Sequence, residues 1–341
     1  MKKIHIVIPD LFLPRQLAAY AGADLVLPAL EKILARAQVE PLKVDTLEAW
    51  LCQQFGLKGE AIAPITLLAE GVLPDAYYWM RADPVGVSMQ RDQMVLRADS
   101  LLSEDEARQL CATLNEHFKA DGLRFLAPHP QRWYVRLEKE PELHTLALAQ
   151  VVGGNIHTHL PTGAHALRWH SIFNEIQMLF HEHAVNQARE QRGEHAISGI
   201  WFWGGGKLAQ VSPQSFAKVA GDSELAQAFA QAAGLSSLRA TDNMQLNVDE
   251  WQGDLLLVWE GLRGALQHAN IAQWRYALQQ FEANYAAPLL KALAAGRVEE
   301  IKMDVLSEGA SHRFVLSRPG LWKVWRSRKP LLHYALSQAE D

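Results

Sequence analysis

The apolar run of residues 3–9 ends at Pro9 and leaves Asp10 at its far end, in MKKIHIVIPD. A residue just past the carboxyl end of a first parallel strand points into the crevice where open α/β sheets bind ligands. Asp10 is therefore a candidate metal- or phosphate-site residue, and equally a turn-capping aspartate. Arg81 and Asp83, in YYWMRADPVGV, are two apart and share one face of an extended chain. They offer either an anion-binding arginine held by its carboxylate or a plain surface ion pair. The stretch richest in such groups is residues 169–207, WHSIFNEIQMLFHEHAVNQAREQRGEHAISGIWFWGGGK. Asn186 and Arg189 lie in its helical part, Gly204, Gly205 and Gly206 close its aromatic strand, and Lys207 follows. Arginine holds phosphate or carboxylate through paired hydrogen bonds, and glycine lets a backbone approach a ligand closely or adopt positive φ. The set suits an anion site, although a tight strand-to-loop turn would also use the three glycines.

These groups need elements to hold them. Residues 3–9 read as a buried strand, and residues 27–37 and 46–55 as helices, the second capped by Asp45 or Thr46. Residues 77–87 read as a strand whose Pro84 argues for an edge or a bulge. Ser103-Glu-Asp-Glu106 is a capping box that opens a helix over residues 104–117. Two strands follow within 122–137, around Pro128-His-Pro130. Ile172, Ile176, Leu179 and Phe180 recur at helical spacing, which commits one face of a long helix to a core. Further on, 212–216 and 223–234 look helical, 254–259 (DLLLVW) is a strand of the buried parallel kind, 271–293 is a long helix and 299–306 another strand. Strands alternating with helices in both halves predict an α/β sheet.

The totals narrow the class. A chain of 341 residues with 49% hydrophobic and 21% charged residues is globular and large enough for one big α/β domain or two ordinary ones. Its net charge of −5 makes no general case for nucleic acid or for a membrane surface. Two isolated cysteines, Cys52 and Cys111, argue against a disulfide framework and a cysteine-type zinc site. The opening apolar run is too short for a signal or a span, so a reducing, cytoplasmic compartment is expected. The region from Gly309 to Ala339 has no acidic residue, and its lysines and arginines interleave with Trp322 and Trp325. Such a tail could touch nucleic acid; a solvated basic face is the plainer reading. The pairs His157/His159 and His181/His183 read as structural or pH-responsive.

Several stretches, in order, resemble the archaeal-type cofactor-independent phosphoglycerate mutases of the alkaline phosphatase superfamily. They are MKKIHIVIPD, GVLPDAYYWMRADPV, MVLRADSLLSEDEARQL and HAVNQAREQRGEHAISGIWFWGGGKLAQVSPQSF, and together they cover most of residues 1–220. A closer resemblance is to a proteobacterial group of regulatory proteins of the pathogenicity-factor E type, which shares the RWY, NEIQML, VN-x-x-RE and WFWGGG strings. The resemblance implies an α/β, alkaline-phosphatase-like core sheet with helices on both faces, interrupted by a small α+β inserted domain. The expected division is 1–77 and 164–341 for the core and 78–163 for the insertion.

Mutases of this family use two divalent metals, usually manganese or zinc, and a phosphorylated serine; two cations stabilise the attacking and leaving oxygens. Matched position by position, Asp10 fits the first ligand and Thr46 the nucleophile, though Asp45 and Thr46 also fit a helix cap. Glu260 and a displaced His268 stand where an aspartate and a histidine belong, and Glu308 and His312 stand four apart where the family has an adjacent pair. Basic residues occupy the segment of the last histidine. On the anion side Arg81, Arg132, Asn186, Arg189, Gly204, Gly205, Gly206 and Lys207 match, with Asp83 replacing an asparagine. The expectation is a regulatory protein with a degenerate metal site that binds a small phosphorylated or carboxylated metabolite. The alternative is an active manganese- or zinc-dependent mutase or phosphatase using Thr46, with Asp10, Glu260 and His312 as ligands.

Overall fold

The computed structural model describes residues 2–13, 24–90, 93–213, 215–239, 246–268, 270–307 and 309–337. The chain forms two compact units, Met1–Gly56 with Val211–Asp341, and Leu57–Gln210. It lays down β1 (Lys3–Pro9) and β2 (Gln38–Pro41) in the first unit. The second unit then takes β3 (Tyr78–Gln90), β4 (Gln93–Arg97), β5 (Arg124–His129), β6 (Arg132–Leu137), β7 (Leu143–His144), β8 (Thr162–Gly163) and β9 (Gly199–Gly206). The chain returns to the first unit for β10 (Lys218–Gly221), β11 (Ser236–Arg239), β12 (Leu255–Val258), β13 (Glu300–Leu306) and β14 (His312–Ser317).

The first unit is a mixed α/β sheet in the order β11-β10-β12-β1-β13-β14-β2. Its first five strands run parallel, and β14 is antiparallel to both β13 and β2. Alternation along β1 divides its side chains between two faces. Ile4, Ile6 and Ile8 join Leu255, Leu257, Ile301 and Met303 in a core with Leu30, Trp274 and Leu289 from the helices Pro28–Arg36, Ile271–Phe281 and Ala287–Ala294. On the other face His5 meets Trp50 edge-on at 5.1 Å, and Phe55 packs on Phe229, so Leu47–Gln54 and Glu224–Ala232 cover that side.

Two local readings are corrected here. The single helix expected over 271–293 is interrupted by a π turn at Glu282–Ala286. Pro288 has no N–H to give the Asn284 carbonyl, and that oxygen instead accepts the N–H of Leu246 at 3.1 Å. Residues 212–216 are not helical among the described positions. Ser212 N–H bonds Phe55 O at 3.0 Å and Ala217 N–H bonds Asp254 O at 2.9 Å, so the connection runs open.

The second unit has an antiparallel sheet, β4-β3-β6-β5, with β9 also paired to β3. The helix Glu104–His117 starts on the reciprocal Ser103–Glu106 bonds, at 3.2 and 2.9 Å. It packs with Ala166–His181 over a core of Trp133, Phe125, Trp169 and Phe202. Pro84 is accommodated where β3 pairs with β9 alone, because β6 reaches only to Arg81 and β4 begins opposite Gly86. The stretch 169–207 lies wholly in this unit, so β9 extends the β3 sheet instead of leading back into the first one. This unit spans residues 57–210. The expected long helix is two, Ala166–His181 and Ala184–Gln191, divided where His183 caps the second by accepting the Val185 N–H at 3.1 Å.

Candidate functional site

The strands β1, β10 and β12 run parallel and end at Pro9, Gly221 and Val258. Just beyond them stand Asp10, Asp222 and Glu260, so one end of the sheet collects carboxylates. Asp10 has left-handed φ of 59° and donates its N–H to Leu306 O at 2.8 Å. The backbone N–H of Glu260 donates to Asp222 Oδ1 at 2.7 Å. Arg263, first residue of the helix Arg263–Gln267, turns back into this end. Its Nη1 lies 2.5 Å from Glu260 Oε2 and 4.0 Å from Oε1 of the buried Glu48, and its Nε lies 3.6 Å from Asp10 Oδ2. Burial works against the charge on Arg263, but Glu260, Glu48 and Asp10 outweigh it and raise its pKa. Burial raises the Asp10 carboxyl, Arg263 opposes this, and Glu260 adds to it.

A divalent cation needs oxygen or nitrogen donors aimed at one point. Here three carboxylates are aimed at a guanidinium, and a dication entering among them would meet that positive charge. The residues do not fit a two-metal centre. Among the described residues, no three His, Cys, Asp or Glu side chains form a group that could hold a metal ion. Of the expected ligands, Asp10 and Glu260 come together, and they do so through Arg263. His268 is exposed, with Nδ1 2.8 Å from Gly264 O. His312 has Nδ1 3.2 Å from Ala310 O and lines a separate hollow with Phe314 and Tyr334. Glu308 lies outside the described residues. Thr46 caps the helix Leu47–Gln54, its Oγ1 accepting the Ala49 N–H at 3.2 Å.

A different cluster crosses β1, β13 and β14 on the face opposite Ile4 and Ile6. Asp304 is fully buried and sits opposite Arg313, which forks onto it with Nε at 2.8 Å and Nη2 at 2.7 Å. Trp50 Nε1 donates to Asp304 Oδ2 at 2.7 Å, and His5 Nε2 lies 2.8 Å from the same oxygen. Burial opposes ionisation of Asp304, but Arg313 and His5 overcome it and hold the carboxyl far below the usual carboxylate range. In front of this network opens a cavity of about 510 Å³. Lys3, Lys43, Lys302 and Arg313 line it with His5, against the single carboxylate of Asp254. Asp254 accepts the Lys3 backbone N–H at 2.9 Å, and Lys302 Nζ is 3.6 Å from Glu300. Alternation and register bring Lys3, His5 and Lys302 to one face.

Of the residues expected to handle an anion in the second unit, Arg81, Arg132, Asn186 and Arg189 are engaged within the protein. Arg81 is buried between the rings of Tyr134 and Trp203, at 5.3 and 5.2 Å, and forks onto Asp83 Oδ1 at 3.1 and 2.7 Å. Burial lowers the Arg81 pKa, and Asp83 together with Tyr134 and Glu70 more than restores it. Asp83 also accepts Trp203 Nε1–H at 2.7 Å and Trp133 N–H at 3.3 Å. Arg132 pairs with Glu70. Arg189 donates to His195 O at 2.9 Å, Leu101 O at 3.1 Å and Glu106 at 3.1 Å. Asn186 ties Phe180 O, at 2.6 Å, to both the N–H and the carbonyl of Ile197, at 2.9 and 2.8 Å. Gly204 has φ of +61°, and a Cβ there would stand 2.9 Å from Ile62; one on Gly205 would meet the Tyr78 hydroxyl at 2.5 Å. These glycines let a helix and a tyrosine lie close against β9, and Lys207 beyond them is exposed. Arg81 and Asp83 are therefore a buried pair, in place of either a surface pair or a free anion ligand.

Sequence reasoning missed the His5–Asp304–Arg313 network and Arg263. A signal existed for the first: an aspartate inside the apolar strand KMDVL rarely stays buried without a cation.

No protein-family model matches the chain, and no curated protein sequence matches it. Among solved structures it is similar to the cofactor-independent phosphoglycerate mutase of Thermoplasma acidophilum, at 12% identity and TM-score 0.42, over 93% of this chain and 90% of that one. It is also similar to the PH0037 protein of Pyrococcus horikoshii, at 13% identity and TM-score 0.48, over 93% of this chain and 87% of that one. No described helix is long and apolar enough to cross a membrane.

Proposed function

We propose that the chain is a binding protein, regulatory in role, for a small phosphorylated or carboxylated metabolite, and that it turns nothing over by two-metal chemistry. The observation that carries the binding half is the cavity lined by Lys3, His5, Lys43, Lys302 and Arg313. Its volume of about 510 Å³ suits a small metabolite, and its cations suit one or two anionic groups. Asp304 keeps Arg313 and His5 in place without competing at the mouth, because its carboxylate is fully buried behind them. Support for the other half comes from Arg263, which supplies from the chain itself the positive charge that Asp10, Glu48 and Glu260 require. The sequence resemblance to the mutases supplies the class of ligand, and in this reading residues 57–210 are the part inserted into a phosphatase-like core. The alternative, an active mutase or phosphatase, needs Thr46 as nucleophile, and Thr46 is engaged as a helix cap.

The test is calorimetric titration of 3-phosphoglycerate into the purified chain, with Lys43→Glu and Lys302→Glu alongside. Loss of one charge-assisted contact is worth ~1.5–3 kcal/mol, so each variant should bind at least about tenfold more weakly. Unchanged affinity in both variants would overturn the site. Interconversion of phosphoglycerates on addition of manganese would overturn the binding-only role.

A further inference from the structure

The C-terminal segment of the first unit carries three large apolar side chains into solvent within four positions. Trp322 is 78% exposed, Val324 69% and Trp325 76%. Most surface tryptophans lie against something, and a cluster this open marks an interaction surface. The backbone that bears them is held from behind. Arg36 donates to Leu321 O, Arg326 Nη1 donates to Ala37 O at 2.7 Å, and Arg328 Nε is 3.3 Å from the buried Glu31. Within the turn, Lys323 N–H bonds Gly320 O at 3.1 Å, Val324 N–H bonds Trp322 O at 2.7 Å and Arg326 N–H bonds Lys323 O at 3.0 Å. The arginines thus hold the turn against the helix Pro28–Arg36 while the indoles project away from the core.

The surroundings are cationic. Lys323, Arg326, Arg328 and Lys329 lie in the segment itself, and Lys32, Arg36 and Lys291 line an adjoining groove with Arg326 and Arg328. The nearby carboxylates are committed: Glu282 caps the helix Pro28–Arg36 through Ala29 and Leu30 N–H at 2.6 and 2.9 Å, and Glu31 faces Arg328. We propose that this turn docks the protein peripherally on an anionic lipid surface, with Trp322, Val324 and Trp325 entering the headgroup region and Lys323 and Lys329 facing lipid phosphates. Tryptophan favours that boundary because its ring is apolar and its N–H polar. Each lysine or arginine near an anionic surface adds attraction that salt screens. Val324 favours a bilayer over nucleic acid, because its exposed aliphatic side chain gains by entering apolar surroundings and adds nothing to base stacking on the flanking indoles. The docking is independent of the anion cavity, which is lined by other residues.

The experiment is cosedimentation of the full chain with vesicles of phosphatidylcholine alone and of phosphatidylcholine mixed with phosphatidylglycerol, at low and high salt. Wild type should sediment with the mixed vesicles at low salt, and remain in the supernatant at high salt and with pure phosphatidylcholine vesicles. The double variant Trp322→Ser, Trp325→Ser should bind at least about tenfold more weakly, and Lys323→Gln, Lys329→Gln about fivefold or more. Trp322, Trp325 and Lys329 are exposed and Lys323 is half-buried, so circular dichroism should show each variant folded like wild type. Failure of wild type to bind the mixed vesicles would overturn the proposal. So would equal binding by the tryptophan variant, or tight binding of a single-stranded oligonucleotide without any of vesicles.

Discussion

Arg263 meets Glu260 at 2.5 Å, three positions away along the chain, and the same guanidinium faces Asp10 and Glu48. One arginine thereby neutralises part of a carboxylate cluster that would otherwise repel itself. In Arg263→Ala the three acids lose their shared cation. Removing one partner of a largely buried charge cluster costs about 3 kcal/mol or more, so denaturant unfolding should shift by that amount. Wild-type stability should be indifferent to manganese and to EDTA. A fall in the wild-type melting temperature on chelation would show that the arginine does not stand in for a metal.

Asp304 gives a pH signature. Its folded carboxyl is held well below the unfolded value, so its stabilisation is fully present above about pH 4 and fades as pH falls toward the folded pKa. Asp304→Asn should therefore be less stable than wild type at pH 7, by about 3 kcal/mol, because the fully buried Asp304 no longer meets the half-buried Arg313 with a charge. Below about pH 4 the gap should narrow progressively, because the unfolded chain takes up a proton there that folded Asp304 does not. Urea midpoints measured in parallel from pH 7 down to pH 3 decide this. A gap that stays constant over the range would mean that the charge of Asp304 is not what stabilises the network.

Arg81 and Asp83 test whether a buried pair in the second unit is structural. A lysine at 81 would keep the charge but lose the forked contact to Asp83 and the flat stacking between Tyr134 and Trp203. Arg81→Lys should cost ~2 kcal/mol in urea unfolding. Asp83→Asn should cost more, ~3–5 kcal/mol, because it strands a buried guanidinium. If Asp83→Asn were the milder of the two, the pair would not be acting through its charge.

The elements were legible wherever a local rule decided them. The apolar run after Lys3, the Ser103–Glu106 box and the DLLLVW strand each declared themselves, because their signals lie within a few residues of one another. The partnerships were not legible. His5 lies at the opposite end of the chain from Asp304 and Arg313, and the three meet only because β1, β13 and β14 are neighbours in a fixed register. Arg263 likewise reaches Asp10 across the sheet order, which no spacing rule encodes. The internal engagement of Arg81, Arg189 and Asn186 was illegible for a related reason. Sequence shows which groups can bind an anion, but their internal partners, Asp83, Glu106 and the Ile197 backbone, appear only after folding.

Asn186 is the sharpest case, since its side chain joins the end of one helix to the approach of β9. It donates to Phe180 O and Ile197 O and accepts from Ile197 N–H, all in the interior. Asn186→Ala would leave three buried backbone groups without that partner, at ~2–4 kcal/mol in all. Asn186→Asp keeps the acceptor but sets a carboxylate against two carbonyl oxygens. Burial beside those oxygens should raise its pKa, so this variant should be least stable at neutral pH and recover as acid protonates it and restores one donor. Urea unfolding at pH 7 and pH 5 separates the possibilities. If Asn186→Ala stays within about 0.5 kcal/mol of wild type, the size of an ordinary surface change, the asparagine is not holding these elements together and a ligand role for it would reopen.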